Sequence, residues 1–145
     1  VSDVDGTESR EVQALQAYLN EYGQQAEILS RQLEMMNRQR LESLAAIDAL
    51  KALIEQQGSV VLVPIGGGTT VRAQIVDPDN VLVNIGADVV IRRNNQDAIG
   101  FLEDRIRELE ALEKKISESL EQVRGQINEI ARRIDQAYQK AQQAQ

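Results

Sequence analysis

The residues that could do chemistry are few and of few kinds. The chain contains no His and no Cys, which removes thiolate chemistry, disulfides, zinc sites built from the usual ligands and the usual general base near neutral pH. What remains is a glycine triplet, Gly66-Gly67-Gly68, an acidic turn, Asp77-Pro78-Asp79-Asn80, and carboxylates spread over two long charged segments. The triplet lacks the Lys and Ser/Thr that complete a phosphate loop, so it reads as a hairpin connection. Asp77, Asp79 and Asn80 begin like a calcium loop, but the polar ligand near position 81 and the later Glu are missing, and a turn is the better reading. No catalytic residue, metal site or cofactor is expected, and the chain is not expected to be an enzyme.

The remaining carboxylates fall mainly outside the apolar stripes described below, in water, where nothing drives two pKa values apart for acid–base work. Glu113 is the exception because it falls on a stripe. It can fix register or pair with a basic residue across a coil, and it can equally be a side chain snorkelling from a partly open seam. The aromatic residues are also informative by position. Of one Phe and three Tyr, Tyr18, Tyr22 and Tyr138 all lie in the outer parts of the two charged segments.

The elements that must position these residues are set by composition and period. The 145 residues are 42% hydrophobic but only 3% aromatic, an unusual balance for a compact core, which draws on large rings. With 16 basic and 23 acidic residues the net charge is −7, which argues against nucleic acid or an anionic membrane surface as partner. No apolar run is long enough to span a bilayer, and a soluble, cytoplasmic protein is expected.

Residues 95–145 form the strongest periodic segment. Ile99, Leu102, Ile106, Leu109, Glu113, Ile116, Leu120, Val123, Ile127, Ile130, Ile134, Ala137, Ala141 and Ala144 follow alternating steps of three and four. A sustained repeat of this kind predicts a coiled-coil helix. Glu103 with Arg107, Glu110 with Lys114 and Glu129 with Arg133 stand at i,i+4 on its solvated face. Residues 11–57 repeat the pattern through Leu15, Leu19, Tyr22, Ala26, Leu29, Leu33 and Met36. Arg40 then falls on the seam, and Leu41, Leu44, Ile47 or Asp48, and Leu50 or Lys51 resume in a shifted phase toward Ile54, which predicts a stutter. Residues 1–10 are expected to be a flexible leader.

Between the helices, residues 58–94 are rich in Val, Ile, Thr and Gly. Gly58-Ser59 predicts a helix stop, and four short strands follow, separated by the glycine triplet, the Asp-Pro-Asp-Asn turn and Gly86-Ala87. Alternation puts Val71, Ala73 and Ile75, then Val81, Val83 and Ile85, then Val89 and Ile91 on buried faces, with Arg72, Gln74, Asn84 and Arg92 opposite. Two isolated hairpins would leave open edges, so the strands need other chains. Two helices of matched length flanking this insertion predict an antiparallel coiled-coil hairpin in which Leu15 faces Ala137, Leu19 lies near Ile134 and Tyr22 near Ile130. The fold class is α+β: a long antiparallel coiled-coil hairpin with two central β-hairpins that join an oligomeric β-barrel platform.

The order helix, two hairpins, helix, with Leu62-Val63-Pro64-Ile65, Val83-Asn84-Ile85-Gly86-Ala87, Val90-Ile91 and Asp97-Ala98, closely resembles the α-class subunits of prefoldin over essentially the whole chain. The resemblance implies a hexamer of two α and four β subunits (α2β4) with a double β-barrel platform and six coiled-coil tentacles. It also implies an ATP-independent holdase that captures non-native client proteins at the tentacle ends and delivers them to a group II chaperonin. The acid-rich, cysteine-free composition suits an archaeal subunit. On this reading Leu15, Tyr18, Leu19, Tyr22, Ile134 and Tyr138 contact clients, and Val71, Ile75, Val81, Val83, Ile85, Val89 and Ile91 form the platform interface. The tip residues can alternatively do no more than close the coil, and a filament-forming or structural coiled-coil scaffold shares every periodic feature.

Overall fold

The computed structural model describes residues 2–143, with side chains from Gly6 onward. The elements are α1 (Ser2–Glu55), β1 (Val60–Gly66), β2 (Thr69–Gln74), β3 (Val81–Asn84), β4 (Val90–Arg93) and α2 (Asn95–Gln143). The chain divides into two compact units, one of residues 1–37 with 111–145 and one of residues 38–110. The first contains only coiled coil, and the second holds both hairpins with the adjoining parts of the helices. The α+β class and the two antiparallel hairpins agree with the sequence reading.

In the first unit the two apolar stripes are covered. On α2, Glu113, Ile116, Leu120, Val123, Ile127, Ile130, Ile134 and Ala137 are all buried or half-buried, whereas Ala141 is exposed and Ala144 lies outside the described residues. On α1 the same holds for Val12, Leu15, Leu19, Tyr22, Ala26, Leu29, Leu33 and Met36. Alanines at the end of a seam remove little apolar area from water, so cover is lost where the side chains become small.

Two expectations about α1 are corrected. Residues 2–10, expected as a flexible leader, are helical in the structure. Gly6 is the poorest helix former there, at about 1 kcal/mol relative to Ala, and Ser, Asp, Val and Thr cost up to about 0.7 kcal/mol each, while Glu8 and Arg10 favour the helix. The stutter is also absent. The covered residues continue in steps of four and three through Arg40, Ser43, Ile47 and Leu50, leaving Leu41, Leu44 and Ile54 exposed. An apolar count favours a phase shift because it scores Arg and Ser as seam breakers. Ser43 is tolerated when buried because its hydroxyl donates to the Gln39 carbonyl at 2.9 Å, one turn back in the same helix. Arg40 is half-buried, which its long aliphatic stem permits.

The solvated face also pairs differently in part. Arg107 bonds Asp104, not Glu103. Glu129 takes Arg132 at 2.7 Å and, more loosely, Arg133 at 3.5 Å. Arg132 donating to Glu129 holds that carboxyl below its ordinary range and holds its own guanidinium up. These pairs are exposed and contribute little to stability.

In the second unit α1 ends as the sequence predicts. Gly58 takes the left-handed conformation (φ 82°), which a residue without Cβ adopts at no steric cost. At the other end Asn94 caps α2, its side-chain oxygen accepting from the Asp97 amide at 2.7 Å. The turn between the hairpins is closed by Asp77, whose carboxylate accepts from the Asp79 amide at 3.0 Å and whose carbonyl accepts from the Asn80 amide at 3.2 Å. Asp77 and Asp79 are thus turn formers, and among the described residues no cluster of three metal-ligating side chains occurs.

Candidate functional surfaces

The hairpins are built alike. β1 pairs with β2 in the register Val61↔Ala73, Leu62↔Arg72, Val63↔Val71, Pro64↔Thr70. β3 pairs with β4 as Val81↔Arg93, Leu82↔Arg92, Val83↔Ile91, Asn84↔Val90. Laid over one another, Val61-Leu62-Val63-Pro64-Ile65-Gly66-Gly67 and Val81-Leu82-Val83-Asn84-Ile85-Gly86-Ala87 are two copies of one segment, followed in each by an Arg at the same place. The backbone repeats with the sequence. Gly66, Gly67 and Gly68 have φ of 104°, 60° and 75°, and Gly86, Ala87 and Asp88 have 110°, 50° and 60°. Two successive positive φ values are what a two-residue type I′ hairpin turn requires. This explains why Ala87 and Asp88 adopt a conformation that side chains disfavour: they fill glycine positions of a repeated turn.

The copies differ in what covers them. In the second hairpin Val81 and Val83, with Leu82 and Asn84 beside them, line an apolar trough of about 400 Å³ together with Ala46, Ala49, Leu50, Leu53, Ala98, Phe101 and Leu102 of the chain's own helices. Val83 is 9% exposed, whereas its counterpart Val63 is 37% exposed. Three of the residues expected at the platform interface, Val83 buried and Val81 and Ile91 half-buried, are already covered within their own chain. The other four, Val71, Ile75, Ile85 and Val89, are exposed and remain available to another chain.

Sequence reasoning missed three features of this surface. Val60, Leu62 and Ile65 on β1 are exposed, and the unbroken apolar run 60–65 is the pattern of a strand meant to be covered on both faces. Leu82 and Val90 are exposed on the polar side of the second hairpin. The third is Asn95, which is 5% exposed. Its side-chain amide donates to the Leu50 carbonyl at 2.9 Å and the Pro78 carbonyl at 3.2 Å, and its backbone amide donates to the Asp79 carboxylate at 2.8 Å. No periodicity marks such a residue.

The six tip residues separate into two groups. Leu15, Leu19, Tyr22 and Ile134 are half-buried members of the seam, while Tyr18 and Tyr138 are 55% and 53% exposed. The same unit also exposes Ile28 and Met35 on α1, seven residues and about two turns apart on one side of the helix. The glycine triplet is hairpin turn, with Thr69 Oγ1 donating to the Gly66 carbonyl at 2.6 Å.

Comparison with known proteins agrees with this architecture. The family described as prefoldin subunit matches residues 22–140. The prefoldin subunit alpha of Methanoculleus marisnigri is 55% identical over 98% of this chain and 95% of its own length. That of Methanoregula boonei is 51% identical over 92% and 88%, and that of Pyrococcus horikoshii 35% identical over 90% and 84%. Among solved structures, filamentous PFD from Methanocaldococcus jannaschii aligns with a TM-score of 0.68 at 21% identity, covering 79% of this chain and 96% of that one. The prefoldin beta subunit of Thermococcus strain KS-1 aligns with a TM-score of 0.60 at 18% identity, covering 88% and 91%. These two share the fold. Prefoldin subunits are chaperone components that act in assemblies with other prefoldin subunits, not enzymes, and by its sequence, its hairpins and its paired helices this chain belongs to the prefoldin family, in the archaeal alpha class.

Proposed function

We propose that the chain is the α subunit of a cytoplasmic α2β4 assembly with prefoldin β subunits, an ATP-independent holdase that binds non-native proteins at its coiled-coil ends and passes them to a group II chaperonin. The observation that carries this reading is the exposure of Tyr18 and Tyr138 in the outer parts of the two helices, where the seam residues Leu15, Leu19, Tyr22 and Ile134 are covered. Large rings held in water at the outer parts of both helices offer weak, reversible contacts to the apolar surface of an unfolded chain, and several such ends in one assembly act together by avidity. The exposed apolar residues of the hairpins, Leu62, Ile65, Val71, Ile85 and Val89, are the platform side of the same design, since a monomer does not keep such strands in water.

The test is to remove residues 1–22 and 131–145 and assemble the shortened chain with its β-class partner. Assembly is expected to persist and suppression of aggregation of a denatured protein to disappear. Full suppression by the shortened assembly would sink the assignment of client binding to the ends. A ladder of homopolymers from the purified chain without holdase activity would instead identify a filament-forming scaffold.

A further inference from the structure

The two hairpins differ at one place that bears on their open edges. Each is a sheet of two strands, so among the described residues β1 and β3 each have an outer edge that no strand pairs. In the second hairpin the Ile85 amide donates to the Val89 carbonyl at 3.0 Å. Backbone groups of successive strand residues point to opposite sides, so Val83 also bonds toward β4 and the amide of Asn84 points to the outer edge. Pro64↔Thr70 matches Asn84↔Val90 in register, so residue 64 stands in β1 where residue 84 stands in β3. An outward position is where a residue without an amide hydrogen costs the ladder no bond. The outer edges also differ in cover. All four residues of β3 line the trough against the chain's own helices, whereas β1 is exposed from Leu62 to Gly66. The proline is in the copy whose edge is left open.

We propose that Pro64 guards this edge against a second copy of the same chain. Val60-Val61-Leu62-Val63-Pro64-Ile65 carries no charge and is rich in strand formers, the composition of a segment that pairs with itself unless a charge or a proline interrupts it. Two copies of β1 laid antiparallel with Leu62 on the twofold axis would bond Leu62 to Leu62 and Val60 to position 64 of the other copy, since all three positions face outward. Pro64 removes the donor from the second contact in both copies and sets its ring against the facing Val60. The apolar run is thereby kept from closing on itself. The inference concerns the chain before it meets any partner and stands independently of the function proposed above.

The test uses the full chain with P64A and P64N, which restore the amide hydrogen with a small side chain and with the residue found at the equivalent place in β3. Each is made alone and together with L62K, and L62K is also made in the wild type. Sedimentation and native mass over a range of concentrations read self-association. Circular dichroism reads folding, which neither substitution at position 64 is expected to change, because no ladder bond of the hairpin uses that amide. Both are expected to tighten self-association about tenfold or more relative to the wild type. L62K sets like charges against each other on the axis and is expected to reverse the gain. Self-association of P64A and P64N equal to that of the wild type overturns the inference. So does a gain that L62K leaves in place, because the copies would then meet elsewhere. A wild-type chain that L62K disperses overturns it as well, since the edge would be in use despite the proline.

Discussion

The side-chain amide of Asn95 lies 2.9 Å from the carbonyl of Leu50, its donor reaching across 45 residues of sequence to the last turns of α1. A second bond from the same amide goes to Pro78, and the Asn95 backbone amide is held by Asp79. One buried residue therefore joins the end of α1, the turn between the hairpins and the start of α2. It fixes where the second hairpin leaves the helices.

Asn95→Ala is expected to destabilise the chain by about 1–3 kcal/mol, because it removes two hydrogen bonds and leaves the Pro78 carbonyl without the donor it has now. Asn95→Asp is expected to cost at least as much, since a carboxylate would be turned toward two carbonyl oxygens. Thermal unfolding of the chain checks both, and equal midpoints for wild type and Asn95→Ala would remove the role given to this residue.

The repeated hairpins separate folding from assembly at equivalent positions. Val83→Ala is expected to destabilise the chain by about 1–2 kcal/mol through lost burial, because Val83 already packs on its own helices. Val63→Ala is expected to cost little in the isolated chain and to act on assembly, since Val63 is the copy left open. Unfolding midpoints compared with native mass for the two variants give the answer. Equal effects on both measurements would mean that the difference in cover between the hairpins has no energetic weight.

What could be read from the sequence follows from which physical signals are periodic. The α2 seam from Ile99 to Ala137 was legible residue by residue, since every third or fourth position must leave water and does. The helix stop and the turns were legible from Gly58, Pro78 and the glycine triplet, because Gly reaches the positive-φ conformations that other residues disfavour and Pro has its φ fixed. The α1 phase beyond Met36 was not, because Ser43 satisfies its hydroxyl within its own helix, a compensation that an apolar count cannot register. Nor could alternation say which strand face meets another element of the same chain and which waits for another chain. Val71 and Val83 look alike in sequence, yet Val83 shares a trough with Leu50, Leu53, Phe101 and Leu102 of its own helices while Val71 is exposed.

Client binding at the ends is expected to depend on the exposed rings more than on the seam. Tyr18→Ser with Tyr138→Ser is expected to change stability by no more than about 0.5 kcal/mol, as for surface positions generally, and to lower suppression of aggregation several-fold. Tyr22→Ser, within the seam, is expected to lower the unfolding midpoint. Aggregation assays on assembled protein, set beside thermal unfolding, distinguish the two. Unchanged suppression by the double variant would return Tyr18 and Tyr138 to a structural role.

The seam phase on α1 has its own test. Ile47→Ala is expected to cost about 2–4 kcal/mol as a buried large-to-small change, and Leu44→Ala well under 1 kcal/mol because Leu44 is exposed in the single chain. A seam running through Leu41 and Leu44 would instead make Leu44→Ala costly as well. Denaturant midpoints of the two variants, measured on the unassembled chain so that Leu44 is not covered by a neighbour, decide between them.

The duplicated turn makes a prediction of opposite sign at equivalent sites. Ala87 at φ 50° and Asp88 at φ 60° occupy the places that Gly67 and Gly68 fill at 60° and 75°. A left-handed conformation costs a non-glycine residue roughly 1–2 kcal/mol, part of which glycine returns as unfolded-state entropy. Ala87→Gly is therefore expected to stabilise the chain by roughly 0.5–1 kcal/mol, and Gly67→Ala to destabilise it by a similar amount. Space is open around Gly67 for an added Cβ, so the penalty comes from the backbone angle and not from a clash, and it should be the same size for any unbranched side chain. Unfolding midpoints for Ala87→Gly, Gly67→Ala and Gly67→Ser measure this directly. A gain at position 87 with a matching loss at position 67 follows only if the two hairpins share one turn.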